Sequence, residues 1–558
     1  MSFSLRKNRL LFYTTYSYFK GSNFNDGDIE RTTYDPLTDE FSDLWLLQST
    51  YRKYNSQSHY YQIGMDYDLT DKTVWSIYNR GNFYQQTKKE DMTSSFHTGN
   101  GYADSLFITG NYNDKQQNTY ATGAALSWRP YSGAEWTTSA DYQYFHFEED
   151  QYTESRADYL PVSQTPDLLR GDLQGKIKMY SAESTLNLPL AENYQLEAGA
   201  KTTFIPIDNE AVYQRAETDL WIDDSELSNA FSYKENIHAG YVQLTAGIGK
   251  KMKVEAGLRV ENTHTRSTFI NYPEKERTVV KQHYTHLFPG LRVNYRLSGK
   301  NGIGIGYGRR IIRPNYRDLN PFIEVRDNYL YEQGNTELKP ELTDNIDLTW
   351  IYKNRFAATL LFSYTHDPIT QSYIAIDEKN ALITPYNLNH NRMIGIRLHG
   401  ANLNPASFWN LNLTATIYYK EYQWEIYDIR EKNQQLTPLA DISNEFTLSK
   451  TWKAELSGMF YGKMVEGQAV IRPIWTVNGA LQKSFLDNRA SIRLYASDLF
   501  FSLRYRMSMK SPSLSGYYRE RAESTNIGVV FNYRFNKGKG AKDSARKNSI
   551  DESKRINL

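Results

Sequence analysis

The segment "WNLNLTATIYYK" (residues 409–420) places an apolar or aromatic side chain at every second position along its whole length. Trp409, Leu411, Leu413, Ala415, Ile417 and Tyr419 fall on one face of an extended chain, with Asn410, Asn412, Thr414, Thr416 and Lys420 on the other. The same period of two runs through "KVEAGLRVE" (253–261), where Val254, Ala256, Leu258 and Val260 share a face. It recurs in "LFPGLRVNYRL" (287–297), with Leu287, Leu291, Val293, Tyr295 and Leu297 together. A helix needs a period near 3.6, so these segments predict strands with one apolar and one polar face. Alternation of this length exceeds the ~5–6 residues usual for a strand in a soluble protein and matches the ~9–11 that a tilted strand needs to cross a bilayer.

The ends of these faces carry rings. In "TYATGAALSWR" the apolar face runs from Tyr120 through Thr122, Ala124 and Leu126 to Trp128. Eight residues at ~3.3 Å, tilted by ~40°, separate the two rings by about 20 Å along a membrane normal, close to the ~25 Å apolar band between aromatic girdles. The 45 tyrosines, 25 phenylalanines and 10 tryptophans fit strands of this kind. So does a mean hydropathy of −0.67, because only one face of each strand is apolar.

Other classes are excluded by composition. The chain has no cysteine, which removes disulfides, thiolate metal sites and thiol nucleophiles. Lys+Arg 65 against Asp+Glu 64 argues against a nucleic-acid surface, and nothing in the sequence calls for a cofactor. No apolar run is long enough for a membrane-spanning helix. The N-terminal "MSFSLRKNRLLFYTTYSYFK" lacks a continuous apolar run and a small-residue cleavage site, so it reads as the approach to a strand at 9–19 and not as a signal peptide.

Connection lengths alternate. Short turns are expected at 69–72, 130–135, 190–193, 249–253, 297–301, 352–354, 404–408, 449–453 and 485–489. Long polar connections fall at 20–56, 87–115, 149–172, 207–229, 314–337 and 367–384. Short turns at one end and long loops at the other predict a large all-β, antiparallel transmembrane barrel over residues 1–535, with short periplasmic turns and long extracellular loops in a Gram-negative-type outer membrane. Nine hairpins plus a strand at each end give an even number of strands, about twenty. The remaining residues, 536–558, carry seven Lys/Arg against three Asp/Glu and read as a basic, disordered periplasmic tail.

The final strand, "NIGVVFNYRF", turns Ile527, Val529, Phe531, Tyr533 and Phe535 to lipid. Asn526, Gly528, Phe531 and Tyr533 resemble the closing-strand signal of outer-membrane barrels, which implies recognition by the barrel-assembly machinery. A second resemblance lies in "RPNYRDLNPF" and "GNTELKPE". Arg313, Pro314, Leu319, Asn320 and Pro321, followed by Gly334, Asn335, Leu338, Lys339, Pro340 and Glu341, resemble a strand–loop–strand signature of the TonB-dependent-receptor-like outer-membrane barrel family. Ahead of it, "NGIGIGYG" turns Ile303, Ile305 and Tyr307 to lipid, and the prolines are expected where the chain leaves the membrane for water.

This resemblance implies ligand binding at external loops and uptake through a barrel of about 22 strands plugged by a separate domain that contacts TonB. No plug is legible here. The expectation is a C-terminal barrel portion, either truncated or one piece of a split receptor, with plug and TonB supplied elsewhere. A non-transporting adhesion or structural barrel is the alternative, and an outer-membrane enzyme a third. No serine–histidine–carboxylate arrangement stands out.

Candidate lumen residues, lining a ligand path or docking a plug, are Glu183, Glu255, Arg259, Glu261, Arg292, Arg296, Asp347, Arg397 and Arg493. Their plainer role is to solvate the interior and pair across strands. The loops "NYNDKQQ", "YFHFEEDQY", "LWIDDSEL" and "RDNYLYEQ" set aromatics beside carboxylates and amides, a chemistry for small-molecule, glycan or peptide ligands and equally ordinary for exposed loops. His146, Glu148 and Asp150 share a face that a divalent cation could use, though such groups are usually only solvated. His283 and His286 are three apart on a strand, hence on opposite faces, which argues against a shared metal.

Overall fold

The computed structural model describes all residues except 36–39, 99–102, 160–161, 164, 219, 273–275, 328, 427–428, 512, 536–550 and 557–558. Twenty-seven strand segments form one antiparallel sheet and four more form a second. Within the large sheet, Glu40–Phe41 and Val162–Ser163 are tips of hairpins, and four short segments continue a neighbour after a break. Setting those six aside leaves 21 wall passes among the described residues, in keeping with the count of about twenty but odd where an even number was expected. The extra strand is Ser2–Lys7, joined to Leu10–Asp35 by a two-residue turn with Asn8 at φ 53°. Asparagine tolerates that left-handed backbone, and a turn so short leaves little trace in the sequence.

The outward faces follow the alternation. Leu258, Val260, Leu287, Leu291, Ile303, Ile305, Ile346, Leu348 and Trp350 are all exposed on the outside of the wall. Leu126 and Trp128 are exposed beside the short turn that follows them, and Trp136 lies across it, 6.4 Å from Trp128 ring to ring. In the lumen-facing rows, tyrosine rings repeatedly lie over a glycine directly opposite on the next strand. Tyr13–Gly64, Tyr241–Gly199 and Tyr495–Gly528 are such pairs. A β-carbon on Gly528 would sit 2.5 Å from the Tyr495 ring, which explains the glycine of the closing-strand pattern.

The nine predicted short turns are present, all at one end of the barrel. The long connections at the other end are built differently from the expectation of irregular loops. Strands such as Trp45–Thr70, Thr73–His97 and Leu220–Ile248 continue through most of 20–56, 87–115, 149–172 and 207–229. Twenty-six residues at ~3.3 Å, tilted by ~40°, stand about 65 Å tall, far above the ~25 Å lipid band. Beyond the lipid both faces meet water or other protein, so the apolar alternation fades while β-forming Thr and Tyr remain.

The wall closes in its loop-end half, where Leu514–Ala522 pairs with Asn25–Thr33. Nearer the short turns, Ser2–Lys7 pairs with Leu10–Thr15 and Asn526–Tyr533 pairs with Ala490–Ser497. Those two strands both run toward the short-turn end, and among the described residues neither has a partner on its other side. A seam results.

The four-stranded sheet comes from the two remaining long connections. Ile323–Asp327 pairs with Leu330–Gln333, which runs parallel to Ala381–Asn387, itself paired with Ile369–Ala375. This sheet sits inside the barrel. Arg31 Nη2 on the wall donates to the carbonyls of Tyr329 and Lys379 at 2.8 Å each, and Thr33 Oγ1 to that of Glu378 at 2.7 Å.

Candidate ligand site in the barrel lumen

The motif "RPNYRDLNPF…GNTELKPE" is the hinge of this inner sheet. After Ile312 the chain does not enter water, as expected from its prolines and charges, but folds into the lumen. Pro314, Tyr316, Leu319, Leu338 and Pro340 are buried there. Tyr316, Leu319 and Leu338 join Phe145, Phe147, Ile177, Met179, Ile205, Ile207, Phe231 and Tyr233 in an apolar core between the inner segment and the wall. The prolines are tolerated because this stretch belongs to no ladder.

Each polar motif residue has a holding role. Asn320 O accepts from Gly334 N at 2.9 Å, and Asp318 O from Asn335 N at 2.6 Å. A β-carbon at Gly334 would lie 2.3 Å from Asn320 O and 2.7 Å from Asp318 O, so only glycine allows this approach. Asn335 Nδ2 donates to Pro385 O, Lys339 N to Asn387 Oδ1, and Ile369 N to Glu341 Oε1, which ties the two connections together. Pro321 O accepts from Gln333 Nε2 at 2.9 Å. Arg313, only 10% exposed, bridges to Glu261 at 2.6 Å. Burial pushes the Asp318 carboxyl above the usual aspartate range, against the pull of Asn315 and Arg317.

Below the inner sheet lies a cavity of about 1010 Å³ at the level of the lipid band. It gathers Glu183, Glu255, Arg259, Arg292, Asp347 and Arg397, six of the nine candidate lumen residues. Arg292, Gly306 and Asp347 lie side by side on three neighbouring strands, and Arg292 reaches Asp347 at 3.3 Å across the glycine. A side chain at Gly306 would collide with both charges, which accounts for the glycine at this position of "NGIGIGYG". Glu261 is held by Arg259 and Arg313 at 2.6 Å each. Arg493 pairs with Glu455 at 2.5 Å elsewhere on the wall, and Arg296 is exposed at the short-turn end.

A second cavity, about 450 Å³, opens between the inner sheet and the first wall strands. Arg52 and Lys88 hold Glu90 at 2.6 and 3.0 Å, and Glu520, Glu324 and Glu332 add further carboxylates. Met92, Met507, Met509, Tyr373 and Leu46 supply apolar surface. A cleft of this size with a few convergent polar groups has the build of a small-molecule site. "NYNDKQQ", "YFHFEEDQY" and "RDNYLYEQ" reach it through Asn111, Asn113, Gln151, Leu330 and Glu332. "LWIDDSEL" does not; its Trp221 packs on Arg170 and its Asp224 pairs with Arg215. Arg52 and Glu90 were missed from the sequence because 20–56 and 87–115 read as loops, and Glu520 because strand 514–522 meets strand 10–35 only through barrel closure.

His146 contacts Glu148 at 3.0 Å, and among the described residues no three candidate metal ligands converge. His283 stacks on His264 at 4.1 Å, on the face opposite His286.

A tall antiparallel wall with lipid-facing aromatics, a charged lumen and an inward-folded sheet define a large outer-membrane β-barrel. The profile of the outer membrane protein beta-barrel family matches residues 131–533, and the chain belongs to that family. Similar solved structures include the ferric-catecholate import receptor Fiu of E. coli, at 10% identity and TM-score 0.51 over 90% of this chain and 82% of that one. P. aeruginosa FpvA bound to heterologous pyoverdines matches at 11% identity and TM-score 0.55 over 90% and 71%. The copper transporter OprC matches at 10% and 0.50 over 90% and 81%. No curated protein matches the sequence.

Proposed function

We propose that the chain is the ligand-binding pore of an uptake receptor. A small polar ligand enters from outside into the cavity beside the inner sheet, among Arg52, Lys88, Glu90 and Tyr373, and passes to the charged lumen cavity below. The observation that carries this reading is the inner sheet itself. It roofs the lumen yet leaves a cleft of about 450 Å³ lined by both charges and apolar groups. The similar structures support the direction of use, being receptors and transporters by description. Uptake requires a plug and TonB contact supplied by another segment. The seam between Ser2–Lys7 and Asn526–Tyr533 suits one further strand running upward, antiparallel to both.

The alternative, a non-transporting adhesion barrel, needs no through-passage, so its lumen stays blocked whether or not the inner sheet is in place. Planar-bilayer conductance in KCl separates them. The receptor reading expects a small conductance that rises severalfold when residues 323–333 are replaced by a short glycine–serine link. An unchanged conductance overturns it.

A further inference from the structure

Glu235 sits on the inner wall with its side chain 1% exposed, and a buried carboxylate requires a cation. The nearby Arg313 is committed to Glu261 at 2.6 Å. The cation at Glu235 comes from the other end of the chain. Arg555, in the short helical turn Asp551–Arg555, places Nη1 2.6 Å from Glu235 Oε2.

We infer that the lumen holds a binding site for an arginine-bearing peptide, filled by the chain's own C-terminal turn. The tail read from sequence as periplasmic and disordered therefore ends, at residues 552–556, inside the barrel. Recognition uses two guanidinium nitrogens and the face of the group. Its Cζ lies over the Tyr316 ring, 4.3 Å from the centroid, and Nε donates to Pro314 O at 2.9 Å. The backbone joins in, Tyr316 N donating to Arg555 O at 3.3 Å. Ile556 packs against the apolar core, and Glu552 faces Lys201 at 3.7 Å. Lysine offers neither the planar stack nor the fork of donors, so the site selects arginine. Nη2 has no acceptor among the described residues. Occupied, the site pins the 313–316 segment to the wall and sets a peptide across the passage.

The absence of cysteine makes the test clean on the full chain. Lys201→Cys with Glu552→Cys, treated with a short bifunctional maleimide, is expected to give an intramolecular cross-link. Thr343→Cys with Thr365→Cys, facing residues on adjacent wall strands, reports folding and reagent access. Adding Arg555→Ala or Glu235→Gln is expected to lower the 201–552 yield about tenfold or more, because each leaves a buried group without its partner. Free peptide of residues 551–558 in excess is expected to lower that yield, whereas the same peptide with alanine for Arg555 leaves it unchanged. A wall control that cross-links while 201–552 does not overturns docking. An unaltered yield in Arg555→Ala, or equal competition by both peptides, overturns the arginine site.

Discussion

Gly334 is the residue on which the inner sheet turns. Three backbone oxygens, those of Arg317, Asp318 and Asn320, crowd the place where a β-carbon would stand. Gly334→Ala is expected to loosen the inner segment by about 1–3 kcal/mol, since backbone cannot yield as a side chain can. Gly308, with open space around it, serves as the neutral control. Limited proteolysis of the 323–340 region in both variants checks the difference. Asp318 makes the same segment sensitive to pH. Released, it ionises at the ordinary aspartate value; docked, burial holds the proton to higher pH. Docking is therefore strongest below the ordinary value, weakens as pH rises between the two, and is level above both. Hydrogen exchange of 313–340, corrected for intrinsic rates, is expected to slow from pH 7 to pH 4, and Asp318→Asn to remove that slope.

Among elements, the inner sheet is held at two ends by different forces. One end is apolar, with Leu319 4% and Leu338 1% exposed. The other is polar, where Arg31 reaches two carbonyls and Thr33 a third. Leu338→Ala is expected to weaken docking by about 2–5 kcal/mol, the range for emptying a buried leucine site. Arg31→Ala leaves two carbonyls to water or to other donors and is expected to cost less, about 1–3 kcal/mol. Exchange protection of Ile323–Gln333 and Ile369–Ala375 distinguishes the two ends, with loss concentrated at the end that was cut. If both variants loosen the whole sheet equally, it docks as one rigid unit.

For the molecule as a whole, a closed strand wall that lipid or detergent keeps intact is expected to migrate faster on a gel before heating than after. It should also give a strand-rich circular dichroism spectrum in detergent. A chain soluble and monomeric without detergent contradicts the lipid-facing exposure of Leu287, Ile305, Leu360 and Ile394. The wall was legible in the sequence because lipid permits no compromise. Every second residue must be apolar and every backbone group paired, so the period is strict over residues such as Val254 to Val260. Above the lipid that demand lapses, and the hairpin arms read as loops. Alternation put Glu255, Arg292 and Asp347 on one face, but could not say that Arg292 would meet Asp347.

The sequence by itself therefore determined the solvent, the strand period and the turn end, all consequences of interactions within one strand and its medium. Tertiary structure alone decided three things. The motif "RPNYRDLNPF" turns inward rather than out; Arg31 meets Tyr329; and Arg555 meets Glu235, 320 positions away. Such contacts carry no local signature, because they join groups far apart in the chain that only the assembled barrel brings within reach.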